Sequence, residues 1–185
     1  MKKIILHYII LPILVLTVLI FGSYWLVTST DIEAFVSVYG YPAMFGVALI
    51  SGFNIIVPIP AVVFVPLMTA SGLSLWITLL VIMVGMSLGD AIGFLLGRYG
   101  RRALEERTPP LFFLRYESFI RSHPLSLFLF VFFYGAFVPA PNEVIVIPLA
   151  LSGCGWKKLL PPLFLGNAVF TILAAFGVIS LFSLF

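Results

Sequence analysis

The stretch WITLLVIMVGMSLGDAIGFLLG, residues 76–97, is a long apolar segment with a single charged residue, Asp90. A helix that crosses a bilayer needs roughly 20 apolar residues, so this segment is long enough to span one. Every fourth residue over its second half is a glycine, and residues at that spacing share one helix face, on which another helix can pack closely. We therefore predict a spanning helix whose packing face is formed by Gly85, Gly89, Gly93 and Gly97.

The rest of the chain has the same apolar character. Of its residues, 62% are hydrophobic and 9% are charged, whereas soluble domains carry about 25% charged residues. Its net charge of +3 comes from basic residues that flank the apolar segments, which favours membrane topology over nucleic-acid binding. The only cysteine, Cys154, excludes an intramolecular disulfide and a cysteine-based zinc site. Since the sequence has no nucleophile-elbow, zinc-protease or phosphate-loop motif, we expect no enzyme activity, no metal and no cofactor.

Two other apolar segments are long enough to span. Residues 4–27 predict an N-terminal transmembrane helix, so we divide the chain into that helix (1–30) and a second domain (31–185). Residues 156–185 predict a final spanning helix. The expected fold is therefore an all-α integral membrane protein with about three full transmembrane helices.

Prolines interrupt the segments at 34–75 and 124–155. The main breaks are expected at Pro58 and Pro60 in the first segment and at Pro139 and Pro141 in the second, with further breaks at Pro66 and Pro148. Broken backbone survives within a bilayer only where protein or a wet cavity surrounds it. We therefore predict two re-entrant hairpins, each of which enters the membrane and turns back.

The two broken segments belong to an internal repeat. VPIP at 57–60 corresponds to VPAP at 138–141, and each is followed at the same spacing by a Ser-Gly pair and then by a tryptophan. Gly89-Asp90 in the next helix corresponds to Gly166-Asn167. We assign one copy to 34–97 and the other to 124–185, separated by a basic segment at 98–121 that forms either a short interfacial helix or a solvated loop.

Charge places the two copies in opposite orientations. Basic residues prefer the cytoplasmic side, so Lys2 and Lys3 place the N-terminus inside. Each later basic cluster then falls on the same side, whether the first broken segment re-enters from one face or crosses the membrane twice. The copies start from opposite faces, which is the inverted-topology plan of many secondary transporters. The expected location is a prokaryotic cytoplasmic membrane.

Two acids and three amides within apolar segments are the candidate substrate-binding or ion-binding residues. A charge at the bilayer centre costs roughly 2.5–3.5 kcal/mol on insertion scales, so such acids usually face a cavity or a partner. Asp90 has an alternative role in an ion pair with Arg98, and Glu143 has one as a cap on free backbone donors. The amides could line a pathway or satisfy broken backbone. The five candidates are Glu143, Asp90, Asn54, Asn142 and Asn167.

Three arginines follow the glycine-bearing helix, at the depth where a lipid phosphate would lie. Simple positive-inside anchoring explains them equally well. They are Arg98, Arg101 and Arg102.

Several motifs together resemble the DedA/VTT-domain family, also called SNARE-associated Golgi proteins. The resemblance covers about residues 38–177. It includes VYGYPAMFG at 38–46, VPIP at 57–60, GDAIGFLLGRYG at 89–100, and the second break with its Ser-Gly, Trp and Gly-Asn steps. The order and spacing of these motifs carry the match. Two differences, Ala61-Val62 after the first break and Glu143 without an arginine at 135–147, make the chain look like a divergent, small member.

The resemblance implies two facing re-entrant hairpins and lipid flipping or scrambling. We expect a transporter or a lipid flippase or scramblase that moves a lipid-linked or small amphipathic substrate, with proton coupling left open. Membrane lipids are the expected partners, a homo-oligomer is also open, and no nucleic acid is expected. The alternative is a non-transporting membrane scaffold or assembly factor that binds its partner through the glycine face.

Overall fold

A computed structural model describes residues 30–52, 60–105, 122–138 and 140–182. Every regular element in these ranges is helical, which confirms the all-α prediction for the part of the chain described. The predicted N-terminal transmembrane helix and residues 106–121 of the basic segment lie outside the described residues.

The described chain forms six α-helices. In the first half, α1 is Thr30–Ser51, a short 3-10 helix at Ala61–Phe64 leads into α2 at Val65–Ala70, and α3 is Leu75–Glu105. In the second half, α4 is Pro124–Phe137, α5 is Glu143–Leu151 and α6 is Trp156–Phe182. Each half therefore has the same order: a helix, a break, a short helix and a long helix.

Two of these helices are long and apolar enough to cross a membrane. They contain the stretches Leu75–Arg102 and Trp156–Ser180, with mean hydropathies of 2.2 and 2.0. Large apolar side chains on their outer faces are exposed, including Leu80, Leu95 and Leu173. Because soluble monomers rarely expose extended apolar surface, these faces favour a membrane location.

Helix α1 runs parallel to the first half of α3. A Cβ atom added at Gly85 would lie 2.6 Å from the Cβ of Ala48, and one added at Gly89 would lie 2.5 Å from the carbonyl carbon of Gly52. Residue numbers thus rise together along the two helices. Between them, α2 returns to the start of α3, where the Ser74 N–H donates to the Tyr41 hydroxyl at 2.9 Å. Helix α1 therefore ends, and the first break begins, at the level of Gly89, close to the centre of the apolar stretch of α3.

Helix α5 packs along the second half of α3, also in parallel. Gly93 lies against Glu143, Gly97 against Ala150, and Gly100 against Leu151. The turn after α5 therefore lies beside Arg101, at the end of α3 that the charge pattern predicts to be cytoplasmic.

Helix α6 runs antiparallel to α3. Asn167 donates to Asp90, and one turn further along α6 the Thr171 hydroxyl lies 3.9 Å from the Met86 sulfur. Residue numbers rise on one helix as they fall on the other. Asp90 and Asn167 each lie close to the centre of their apolar stretch, so the two helices cross at mid-length.

Prolines interrupt the helices less often than predicted. Pro66 lies at the first turn of α2, where a missing N–H is tolerated, and Pro148 lies inside α5. The interpretation of these two prolines as breaks was wrong. Helix α6 likewise continues through Pro161 and Pro162. Helix α3 also extends to Glu105, beyond its predicted end at Gly97, because the basic residues after Gly97 are good helix formers.

Candidate functional site

A buried polar cluster lies where α3, α5 and α6 meet. Asp90 has no exposed surface, Asn167 is 1% exposed and Glu143 is 2% exposed. Asn142, which immediately precedes α5, completes the cluster and is partly buried. The structure therefore brings together four of the five predicted binding residues, from both halves of the chain.

Hydrogen bonds connect one carboxylate oxygen to two amides. Oδ2 of Asp90 accepts from Nδ2 of Asn167 at 2.5 Å and from Nδ2 of Asn142 at 3.2 Å. The same Nδ2 of Asn142 lies 2.9 Å from Oδ1 of Asn167. This triangle fixes the three side chains relative to one another and ties α3 to α6 and to the residue that precedes α5.

The second acid lies directly beside the first. Glu143 packs over Gly93, where an added Cβ would lie 3.3 Å from its Cγ. Because Gly93 is one helical turn beyond Asp90 on the same face of α3, the two carboxyl groups are neighbours and interact electrostatically. A side chain larger than glycine at position 93 would force Glu143 to move.

A hydroxyl group at the end of the preceding helix holds each break in place. In the first half, Oγ of Ser51 accepts from the N–H of Ala61 at 3.2 Å. In the second half, the Tyr134 hydroxyl donates to the carbonyl of Pro141 at 3.2 Å. The first bond gives the N–H of Ala61 an acceptor, and the second adds a donor to the Pro141 carbonyl, which also accepts from the N–H of Val144. The second bond also positions Asn142 and Glu143.

Two residues that line the approach to the cluster carry buried oxygens for which the described part of the chain provides no hydrogen-bond partner. These oxygens are Oδ1 of Asp90 and Oγ of Ser87, one turn earlier on α3. Both residues line a groove of about 520 Å³ between α3 and α6. The groove therefore leads to Asp90 through an otherwise apolar opening, while Asp90 itself has no exposed surface.

The glycines of α3 pack against helices of the same chain. Gly85 and Gly89 face α1, while Gly93 and Gly97 face α5. The whole predicted packing face is thus covered within the molecule.

The predicted arginines lie apart from the cluster. Arg98 and Arg102 are exposed, and the Arg102 guanidinium lies 5.6 Å from the ring centre of Tyr99. The guanidinium of Arg101 packs against the backbone of Gly153 in the turn after α5. The alternative pairing of Asp90 with Arg98 was wrong, because the partners of Asp90 are the two amides.

Other predicted residues fall at the breaks. Pro60 directly precedes the 3-10 helix, and Pro141 lies between α4 and α5. Asn54, Pro58 and Pro139 lie outside the described residues. In the described ranges, no group of three His, Cys, Asp or Glu side chains could hold a metal ion.

Sequence reasoning missed Ser51, Ser87 and Tyr134. Tyr134 and Ser51 each lie shortly before a predicted break, which is the available signal for such hydroxyl ties. Ser87 carries no signal beyond being a polar residue in an apolar helix.

No family model, curated protein or solved structure matches the chain. The geometry of the cluster and the sequence pattern are therefore the basis for the functional assignment that follows.

Proposed function

We propose that this chain is a membrane transporter, of the flippase or scramblase kind, and a divergent, small member of the DedA/VTT family. It moves a lipid-linked or small amphipathic substrate. The observation that carries the proposal is the buried meeting of Asp90, Asn142, Glu143 and Asn167 at the mid-length of both long helices. Polar and ionisable residues at the middle of apolar helices typically mark substrate or ion pathways.

We further propose an inverted-topology repeat with two re-entrant hairpins. Three observations support this arrangement: α1 is parallel to α3, α3 is antiparallel to α6, and each half has its break near the centre of a long helix. Broken segments that meet near the midplane from opposite sides are the usual site of transport in inverted-repeat transporters. In this arrangement the N-terminus lies on the cytoplasmic side of a prokaryotic cytoplasmic membrane.

Asp90 and Glu143 are the groups through which we propose that substrate or proton movement is coupled. The groups that face Asp90 are Asn142 at the start of α5, Glu143 on α5 and Asn167 on α6. The phenol of Tyr134 lies near Glu143 on the α4 side. Two neighbouring carboxyl groups in a site with little water disfavour each other's ionisation, so binding of a proton or a cation to one changes the charge state of the other.

A scaffold that recruits partners through the glycine face fits the packing less well. All four glycines of that face are already in contact with α1 or α5. A partner helix would have to displace one of them. The transport proposal uses the same packing without rearrangement.

A lipid-translocation assay with the purified protein tests the function. We expect proteoliposomes that contain fluorescent lipids to expose inner-leaflet label to an impermeant quencher faster than protein-free vesicles. Glu143→Gln should abolish this activity while the protein remains folded, as judged by gel filtration and circular dichroism. The matched control is Glu105→Gln, the same chemical change at the end of α3, which should retain activity.

Activity of the pure protein would exclude a scaffold-only role. Inactivity of the purified protein toward every lipid tested would overturn the proposed function. Full activity of Glu143→Gln would overturn the proposed role of Glu143.

Cysteine accessibility tests the hairpins separately. Cys154 is buried and can first be replaced by serine. Single cysteines in Pro60→Cys and Pro141→Cys should then resist a bulky, impermeant thiol reagent in intact membranes. Rapid labelling of both would show that the breaks are surface loops.

A further inference from the structure

The groove between α3 and α6 has an apolar wall and an acidic floor. Val84, Leu88 and Ala91 line its α3 side, and the α6 side is formed by residues 160–165. At the floor, Asp90 has no exposed surface, and its Oδ1 has no hydrogen-bond partner among the described residues. A buried carboxylate oxygen without a partner costs free energy unless a ligand satisfies it.

The groove opens on the side of the molecule that faces lipid in the proposed arrangement. Leu88, Phe164 and Leu165 at its rim are 46%, 39% and 47% exposed. A molecule from the bilayer could therefore enter the groove with its apolar part against the walls, and it would reach Asp90 once the side chains that cover Asp90 shift. The volume of about 520 Å³ suits part of one alkyl chain and a small head.

The charged and polar groups around the floor determine which kind of head group the groove can bind. The partners of Asp90 are two neutral amides, and its nearest ionisable neighbour is another acid, Glu143. No lysine or arginine is among the described residues that line the groove. Lys157 at the start of α6 is exposed and lies over the Trp156 ring instead. A phosphate head would meet only negative charge here, whereas an ammonium head would complement it.

We propose that the α3–α6 groove binds a single-chain amphiphile with a cationic, hydrogen-bond-donating head, which reaches Oδ1 of Asp90. Ser87, one turn away, also lines the groove, and its buried Oγ would accept a second hydrogen bond from the same head. This assignment rests on the proposed transport function and narrows its substrate class from lipid-like molecules in general to amine-bearing ones.

Photo-crosslinking tests the groove with two probes of equal chain length. One is a long-chain alkylamine that carries a diazirine, and the other is the corresponding alkyl phosphate. With the purified full-length protein in lipid nanodiscs, the alkylamine should label peptides from the groove, and unlabelled alkylamine should compete. Asp90→Asn should weaken competition by about tenfold or more, because hydrogen bonds to charged groups contribute that much to binding.

A pair of tryptophan variants separates the groove from the general lipid surface. Leu88→Trp fills the groove but leaves Asp90 intact, so it should remove most of the labelling even if Asp90→Asn fails to fold. Leu95→Trp places the same bulk two turns further along α3, at a residue that is 51% exposed and outside the groove. It should retain full labelling.

Each result decides between the two proposals. Equal groove labelling by the alkyl phosphate, or alkylamine labelling that Leu88→Trp leaves unchanged, would overturn the assigned head chemistry. If lipid translocation is present but the amine does not bind, the groove assignment fails and the transport function stands. If the amine binds in the groove and the protein translocates no lipid, alkylamine included, the groove assignment stands and the transport function fails.

Discussion

The two halves of this protein share a backbone plan but divide the polar chemistry between them. Each half has a helix, a break held by a hydroxyl group, a short helix, a turn at a Ser-Gly pair and a long helix. Within that shared plan, the first half places its acid, Asp90, on the long helix. The second half places its acid, Glu143, directly after the break.

Corresponding positions in the two halves carry different residues at the cluster. Where the second half has Asn142-Glu143 after its break, the first half has Ala61-Val62, both buried in its apolar core. Where the first half has Asp90, the second half has Asn167. The two halves are thus alike where helices must pack and different where a ligand would bind. In a fully symmetric site each acid would have an equivalent acid in the other half, whereas Asp90 and Glu143 occupy non-equivalent positions.

The largest expected effect is on the close contacts that both halves share. Gly89 packs on the backbone of Gly52, and Gly166 packs on the carbonyl of Phe132. Backbone cannot move aside as a side chain can, so Gly89→Ala and Gly166→Ala should each lower the free energy of unfolding by about 3 kcal/mol. Detergent-denaturant titrations measure this loss. Gly46→Ala, with no heavy atom within 4 Å, is the control and should not destabilise the protein. A loss for only one glycine would break the equivalence of the halves.

The second effect tests the exchange of acid and amide at the helix crossing. Asn167→Asp replaces the donor to Asp90 with a second carboxyl group and should cost about 2 kcal/mol, since a charged hydrogen bond is lost and like charges face each other. The double variant Asp90→Asn with Asn167→Asp restores one acid and one amide. It should recover more than half of that loss in the same titration. Additive losses in the double variant would show that the two positions are not interchangeable.

A smaller difference is expected at the two Ser-Gly turns. Gly72 and Gly153 have φ values of 81° and 84°, in the left-handed region where a Cβ is strained by about 1–2 kcal/mol. Gly72 faces open space, whereas an added Cβ at Gly153 would displace the Arg101 guanidinium. Thermal unfolding should therefore show a larger loss for Gly153→Ala than for Gly72→Ala. Adding Arg101→Ala to both should make the two losses equal. A gap that remains in the Arg101→Ala background would mean that something other than this contact distinguishes the turns.

The smallest effects concern the hydroxyl groups that hold the breaks. Ser51→Ala leaves the buried N–H of Ala61 without its acceptor and should cost about 1 kcal/mol. Tyr134→Phe should cost about half as much, because the Pro141 carbonyl still accepts from the N–H of Val144. Lipid translocation gives the sharper comparison. Tyr134→Phe should slow it more than Ser51→Ala, because only the second break carries an acid. Equal slowing would argue that both breaks contribute alike.

The sequence predicts the helical frame well because its signals are local. Apolar length locates α3 and α6, and the four-residue spacing of glycines marks the face of α3 that packs. Proline was less informative than expected. Pro148, Pro161 and Pro162 all lie within helices, since neighbouring helices and local adjustments can satisfy the carbonyls that proline leaves unpaired.

The candidate site was only partly predictable. Asp90, Glu143, Asn142 and Asn167 stand out because polar residues are rare in apolar segments, so their residue types were sufficient to nominate them. Their convergence depends on the antiparallel crossing of α3 and α6 and on the parallel run of α5 beside Gly93, which are long-range contacts. The groove and its unpartnered oxygens depend on side-chain packing, and no local pattern encodes them.

The shared cluster also bears on how the protein is assembled. Asp90 precedes in sequence both amides that bind its carboxylate, Asn142 by 52 residues and Asn167 by 77. In the proposed membrane arrangement, a first half inserted alone would hold this acid in hydrocarbon without those donors. We therefore expect the first half to become stable in the bilayer only once the second half packs against it.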